Sequence, residues 1–120
     1  NDDSGLVPVY TNFTGKSSYI SVNPQGKITR IVEKNPISPL ASAGVYIISH
    51  GSRLVEAIQR SMTLDERING EFYVGPALNH LISTGCDLRP LPVRAKFDLG
   101  NPTGLNKFSK FISSLALRSK

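Results

Sequence analysis

The sequence predicts an α/β domain with a mixed β-sheet flanked by helices, and three observations carry that expectation. Extended, β-branched stretches alternate with helical periodicity through most of the 120 residues. A hairpin signal, Asn23-Pro24-Gln25-Gly26, lies between two such stretches, with proline at the second turn position and glycine at the fourth. Helix punctuation then recurs: Pro76 in a first turn, Gly85 as a stop, and Asn101-Pro102 as a cap followed by a first-turn proline.

Taken in order, residues 6–10 (Leu-Val-Pro-Val-Tyr) read as a short extended segment. Pro8 has no N–H to give a ladder, which demotes this segment towards a sheet edge. Residues 11–17 are polar, contain Gly15 and read as a loop. Residues 19–22 and 27–32 are the arms of the hairpin. The Asn-Pro-Ile-Ser-Pro run at 35–39 holds no regular structure. Residues 41–48 turn from small to β-branched and aromatic, so their second half reads as a largely buried strand. A helix follows, with Ser52 as N-cap and Leu54, Val55, Ile58 and Met62 on one face. The charged run 63–70 connects it to a second helix opening at Val74-Gly75-Pro76, whose Leu78, Leu81 and Ile82 face the core. Residues 88–95 form a strand broken by Pro90 and Pro92, hence an edge or irregular one. The last helix carries a stripe of Leu105, Phe108, Ile112 and Leu115.

Composition bounds the function classes. Hydrophobic residues are 39% and charged residues 19%, the profile of a globular domain. No apolar run is long enough for a transmembrane helix. The one cysteine, Cys86, permits neither an internal disulfide nor a cysteine-rich zinc site, which fits a reducing, cytoplasmic setting. The chain opens Asn-Asp-Asp-Ser, without methionine or a basic, apolar leader. The expectation is therefore a processed chain or a piece of a longer one. A net charge of +5, with Arg89, Arg94, Lys96, Lys107, Lys110, Arg118 and Lys120 against Asp98 alone at the carboxyl end, invites a nucleic-acid reading. The charges are spaced apart, however, with no aromatic-rich RNA-binding stretch and no GXXG clamp. A solvated basic face, or one tuned to small phosphate ligands, is the better reading.

Histidine and cysteine chemistry looks poor. His50 and His80 share no ligand spacing, and Cys86 follows a helix-ending glycine without an obvious base. No G-x-S-x-G, Walker or G-x-G-x-x-G motif is present. Three other places are informative. Glu33-Lys34 ends a strand before the proline-rich loop; a carboxylate there can accept from sugar hydroxyls and an ammonium can hold a phosphate. Asp98 precedes Leu99-Gly100-Asn101-Pro102 at a helix start, a placement that suits one carboxylate of a Mg²⁺ site. Glu71, in Gly70-Glu71-Phe72-Tyr73, stands before a helix and could reach a ligand. Each has a plainer reading alone: surface decoration for the Glu-Lys pair, and helix-dipole complement for Asp98 and Glu71.

Together these places resemble one family. The run Ser18-Tyr19-Ile20-Ser21-Val22, Gln25-Gly26-Lys27, Ile31-Val32-Glu33-Lys34, Ile37-Ser38, Ala43-Gly44-Val45-Tyr46 is similar to the second half of a sugar-phosphate nucleotidyltransferase. So is Asn69-Gly70-Glu71-Phe72-Tyr73-Val74, Pro76, Asn79, Leu81-Ile82 and Gly85, followed by Asp98-Leu99-Gly100-Asn101-Pro102, Leu105 and Phe108. The order and spacing match through most of residues 6–112. The family includes glucose-1-phosphate thymidylyltransferases and mannose-1-phosphate guanylyltransferases. It joins a nucleoside triphosphate to a sugar 1-phosphate and releases pyrophosphate.

The resemblance implies a Rossmann-like, GT-A-like fold, with residues 1–120 as the C-terminal, sugar-phosphate-binding half and the nucleotide-binding half absent. It implies that Glu33 binds sugar hydroxyls and Lys34 the sugar phosphate. Gly44 and Tyr46 would shape the sugar pocket, Glu71 would lie near the sugar or a closing loop, and Asp98 would ligate catalytic Mg²⁺. Lys34 and Asp98 are thereby the catalytic candidates, in a supply route for surface polysaccharide. Partners implied are the sugar 1-phosphate, the triphosphate and the other half of the same protein, with a homo-oligomer left open. The alternative is a non-catalytic module that kept the fold and binds a sugar, a nucleotide or a protein. Two departures stand out: Ser17-Ser18 replaces a glycine that approaches the sugar in many relatives, and Asn101-Pro102-Thr103-Gly104 replaces the common Thr-Pro-Glu-Asp. Because the family's sheet is shared between both halves, the missing half predicts that this piece leaves a sheet edge and apolar surface exposed.

Overall fold

The computed structural model describes residues 3–118; the opening Asn1-Asp2 and Lys120 of the basic end lie outside the described residues. Among the described residues six strands and three helices follow one another: β1 (Ser4–Thr11), β2 (Ser18–Val22), β3 (Ile28–Glu33), β4 (Leu40–Ser42), β5 (Ile47–Ile48), α1 (Gly51–Thr63), α2 (Val74–Ser83), β6 (Asp87–Pro92) and α3 (Pro102–Arg118). The strands form one sheet in the order β3-β2-β4-β1-β5, with β6 on the other side of β1.

β1 is central, against the expectation of an edge. One of its sides is shared by β4, opposite Val9, Tyr10 and Thr11, and by β5, opposite Gly5 and Leu6; the other pairs with β6. Pro8 is tolerated because of where its nitrogen points. Its carbonyl accepts from the Ala43 N–H at 2.8 Å, so residue 8 faces the β4–β5 side. Its missing donor therefore meets the place where β4 ends and the chain leaves for β5. The β6 prolines follow the same rule. The N–H groups of Asp87 and Val93 donate to the Asp3 and Val9 carbonyls at 3.0 and 2.9 Å, fixing the odd positions towards β1. Pro90 and Pro92 turn their missing donors to the open edge, and β6 is an edge strand as expected.

Among the described residues β1–β6 is the parallel pairing and the others are antiparallel. The sheet is thus mixed, but curled and mainly antiparallel; a Rossmann-like parallel arrangement is not seen. The curl brings Arg89 of β6 to the hairpin turn, where Nη1 donates to the Gln25 carbonyl at 2.8 Å. The turn itself closes as read: Gly26 N–H donates to the Asn23 carbonyl at 2.9 Å, with Gly26 at φ 81.

α1 and α2 lie together on one face of the sheet. Val7, Val9, Ile20, Ile31 and Leu88 meet Ala57, Leu78 and Leu81 there, all buried. Each large aliphatic side chain withdrawn this way contributes about 1.5–3 kcal/mol. The buried face of α1 is rotated from the expected one. Ala57 and Ser61 are buried, whereas Val55 and Met62 remain 52% and 54% exposed. Leu54 packs half-buried against the core and Ile58 is half-buried, while the small side chains let α1 approach closely and Val55 and Met62 are left outside. His50, not Ser52, occupies its N-cap position, and no side chain caps it. The expected buried strand in 41–48 is also divided. Its first half, Ala41 and Ser42, is buried, and Gly44 at φ 86 breaks the strand so that Val45 and Ile47 stay exposed.

α3 begins as read. The Asn101 Oδ1 accepts the Gly104 N–H at 2.8 Å, an N-cap bond. Phe97 packs on Phe108 and Phe111, with centroids 5.4 and 5.2 Å away. Beyond these contacts its apolar stripe stands off the body: Leu105, Ile112 and Leu115 are exposed. The radius of gyration, 16.1 Å, accordingly exceeds the roughly 14 Å of a compact chain of this length. Exposed Leu6, Ile47 and Leu91 add apolar surface on the sheet. Among the described residues no helix is long and apolar enough to cross a membrane.

Candidate functional site

The end of β3 gathers most of the candidate residues. Ser18 of β2 lies directly opposite Glu33 of β3 in the antiparallel register, and its Oγ donates to Glu33 Oε2. Directly opposed residues on a strand pair share a face, and this pairing is set by the bulge between Ser21 and Val22, which shifts the hairpin register by one residue. Lys34 then leaves the strand in the left-handed region at φ 58, a conformation that costs a non-glycine residue about 1–3 kcal/mol. Its N–H donates to the Ser17 carbonyl at 2.8 Å, which holds the turn.

The Lys34 side chain reaches the start of α2. Its Nζ donates to Tyr73 Oη at 3.0 Å, and the Tyr73 hydroxyl donates in turn to Glu71 Oε2 at 2.9 Å. The ammonium lies 5.3 Å from the Tyr73 ring centroid. The Tyr73 hydroxyl holds the lysine pKa above its ordinary 10.5 against the opposing effect of desolvation, and the carboxylates of Glu33 and Glu71 add lesser upward pulls. The side chain is a charged, solvent-facing cation with two donors uncommitted to Tyr73.

Gly75, in the first turn of α2, sets how closely that helix approaches. A β-carbon there would stand 2.8 Å from Ser18 Oγ and 3.0 Å from Tyr46 Oη. Glycine thus allows Ser18, Tyr46 and the helix start to share one wall. Asn79 locks the same helix to the strand: its Nδ2 donates to the Ile31 carbonyl at 2.8 Å and its Oδ1 accepts the Ile31 N–H at 3.0 Å. The otherwise open edge of β3 is satisfied two residues before Glu33. The first turn of α2 holds no acidic residue, so its N–H groups and Lys34 make this corner favourable to an anion.

The structure therefore brings Glu33, Lys34, Tyr46 and Glu71 to one corner. Gly44 lies two residues before Tyr46 in the β4–β5 turn, exposed, with its N–H on Ser42 Oγ at 3.0 Å. Asp98 is engaged elsewhere. Its carboxylate accepts from the Gly100 N–H at 2.9 Å and from Asn101 Nδ2 at 3.0 Å, which ties it to the cap of α3. Among the described residues no group of three or more histidine, cysteine, aspartate or glutamate side chains could hold a metal ion.

No family model matches the chain, and no curated protein matches it. A solved structure does. The chain is similar to the nucleoside-diphosphate-sugar pyrophosphorylase from Vibrio cholerae, with a TM-score of 0.77 and 26% identity, over 87% of this chain and 45% of that one. It therefore spans less than half the length of that pyrophosphorylase.

Glu33, Lys34, Tyr46 and Glu71 stand out in the sequence, but not the contacts that hold them. The pairing of Ser18 with Glu33 was not legible: counting back from the Asn23–Gly26 turn gives Val32, and the bulge between Ser21 and Val22 shifts the register by one. Tyr73 and Gly75 had no local signal either. Their partners lie 39 and 57 residues away in sequence, and only the docking of α2 brings them together.

Proposed function

We propose that the chain is the C-terminal, sugar-phosphate-binding half of a nucleotidyltransferase that joins a nucleoside triphosphate to a sugar 1-phosphate and releases pyrophosphate. One observation carries the reading: Glu33 and Lys34, each fixed by a partner, stand side by side at a strand end beside the N-terminus of α2, in a fold similar to a nucleoside-diphosphate-sugar pyrophosphorylase. Glu33 accepts sugar hydroxyls through its remaining lone pairs, and Lys34 takes the sugar phosphate. Gly44 and Tyr46 shape the sugar pocket, with Glu71 at its margin. Exposed Leu6, Ile47 and Leu91, with the stripe of α3, support a complementary nucleotide-binding half as the partner.

In such a reaction a sugar-phosphate oxygen attacks the α-phosphorus of the triphosphate in line, and the bond to the leaving pyrophosphate breaks. Two anions must meet, so the residues of this chain act by position and charge. Lys34 offsets the charge of the incoming phosphate while Glu33 orients the sugar. The exposed carboxylate of Asp98, oriented by Gly100 and Asn101, fits Mg²⁺ as one ligand, with any others coming from outside the described residues. When bound, that ion supplies charge neutralisation on phosphate oxygens.

The test is a titration of this chain with α-D-glucose 1-phosphate and α-D-mannose 1-phosphate, followed by calorimetry or NMR. Saturable binding is expected for at least one, weakened on the order of tenfold or more in Lys34→Ala and in Glu33→Gln. The chain alone should release no pyrophosphate. Unaltered binding in Lys34→Ala would remove the phosphate role. A binding module without chemistry would bind and still form no product when joined to its complementary half.

A further inference from the structure

We propose that Tyr73 is a positioning residue for Lys34: its hydroxyl stands between the Lys34 ammonium and the Glu71 carboxylate, and so keeps the cation available to a phosphate. The inference rests on the proposed function for its ligand, a sugar 1-phosphate, but its geometry stands independently. The Tyr73 oxygen accepts from Lys34 Nζ at 3.0 Å and spends its own proton on Glu71 Oε2 at 2.9 Å. One atom thereby engages both charges and stands between them. The ring flanks the same ammonium, 5.3 Å from centroid to Nζ.

Three features make this arrangement matter. Glu71 is exposed and two residues from Tyr73, so its carboxylate has the freedom to reach a nearby cation. Lys34 has a four-carbon stem whose head is not held by its own packing, although its backbone is pinned at φ 58. A direct Lys34–Glu71 ion pair would make any incoming phosphate displace a carboxylate first. With Tyr73 in place the phosphate displaces at most a neutral hydroxyl, and two ammonium donors remain for it. The half-buried ring beside Ile58, Met62, Phe72 and Ala77, which line a small apolar cavity with it, keeps the hydroxyl at this spot.

The experiment is a double-mutant cycle on the full 120-residue chain with Tyr73→Phe, Glu71→Gln and the double variant, since phenylalanine keeps the ring and its packing. The first readout needs no ligand: the pH titration of the Lys34 side chain followed at its ε-carbon by NMR. With Tyr73 present, Glu71→Gln is expected to change the lysine's proton affinity by less than about twofold. In the Tyr73→Phe background the same change is expected to lower it by about fivefold or more, because the carboxylate now pairs directly. An equal effect of Glu71→Gln in both backgrounds overturns the inference. The second readout is the affinity for α-D-glucose 1-phosphate and α-D-mannose 1-phosphate. Tyr73→Phe should weaken it about tenfold, and the double variant should recover to within about threefold of wild type. Wild-type affinity in Tyr73→Phe, or no recovery in the double variant, also overturns it. Absence of binding by the wild-type chain would count against the proposed function, while the lysine titration would still decide the role of Tyr73.

Discussion

The carbonyl oxygen of Asp98 lies 1.7 Å from where a β-carbon on Gly104 would stand. No side chain fits there, and the first turn of α3 folds back on the 98–101 loop only because residue 104 is glycine. Gly104→Ala gains the better intrinsic helix former, about 1 kcal/mol, but must push the Asp98 peptide aside. The clash wins locally. We expect lost amide protection from Asp98 through the start of α3, with the stability of the core changed by less than about 0.5 kcal/mol. Hydrogen exchange and a urea midpoint, measured together, check both halves of this expectation.

Gly5→Ala should act globally. Gly5 sits in β1 between two neighbours, and a β-carbon would come within 2.7 Å of the Ile47 carbonyl oxygen and 2.6 Å of Leu88 Cδ2. A backbone carbonyl cannot swing away as a side chain can. β5 or β6 must shift, at about 1–3 kcal/mol. The urea midpoint should fall with an unchanged slope, in contrast to Gly104→Ala.

Gly75→Ala should leave the fold and damage the site. The nearest atoms in the way are the ends of two side chains, Ser18 Oγ and Tyr46 Oη, which can turn aside, while Ser18 Cβ at 3.2 Å needs only a small shift. Ser18 would then lose its hold on Glu33. Sugar 1-phosphate affinity is expected to drop on the order of tenfold, with thermal stability close to wild type. A parallel loss of both would show that Gly75 matters to packing instead.

The Glu66–His80 contact gives a pH dependence with a definite sign. His80 Nε2 lies 2.6 Å from Glu66 Oε1, and this hydrogen bond is the main reason that the Glu66 pKa falls below its ordinary 4.5. A carboxyl whose folded value is depressed contributes stability above its unfolded value and loses it as pH falls through the folded one. Glu66 is largely solvent-facing, so the contribution stays under about 1 kcal/mol. Glu66→Gln should therefore be slightly less stable than wild type at pH 7, and the difference should fade as pH falls below the ordinary carboxylate value and vanish below the depressed folded one.

Much of the fold was legible because its signals are local. The Asn23–Gly26 turn, the Asn101 cap and the core positions of α2 follow from residues within a few places of one another. Apart from the cap of α1 at His50 and the break at Gly44, the readings that changed depended on distant partners. Pro8 is compatible with a central strand because two different strands, not one, line that side of β1. Val55 and Met62 have the right periodicity for a core face, yet the small side chains of Ala57 and Ser61 are the ones buried. At the candidate site, the residues with obvious chemistry were visible in the sequence, while those that orient them were not. Tyr73 acquires its role only when α2 docks beside the end of β3.

The parallel pairing of β1 with β6 also imposes an order of assembly. Ser4 lies opposite Asp87, and Val9 opposite Pro92, so the central strand waits for a partner some eighty residues later. The β2–β3 hairpin, closed by a four-residue turn, is complete as soon as Glu33 is free to pair with Ser18. A chain emerging from the ribosome therefore presents its hairpin early and carries β1 with one side bare until residue 92 has cleared the exit tunnel. Throughout that interval the bare side presents the N–H and C=O groups of Gly5, Val7 and Val9 with no proline among them, because the Pro8 nitrogen faces the β4–β5 side. Until β6 arrives, that row of unpaired groups is the place where a foreign strand could add to this chain.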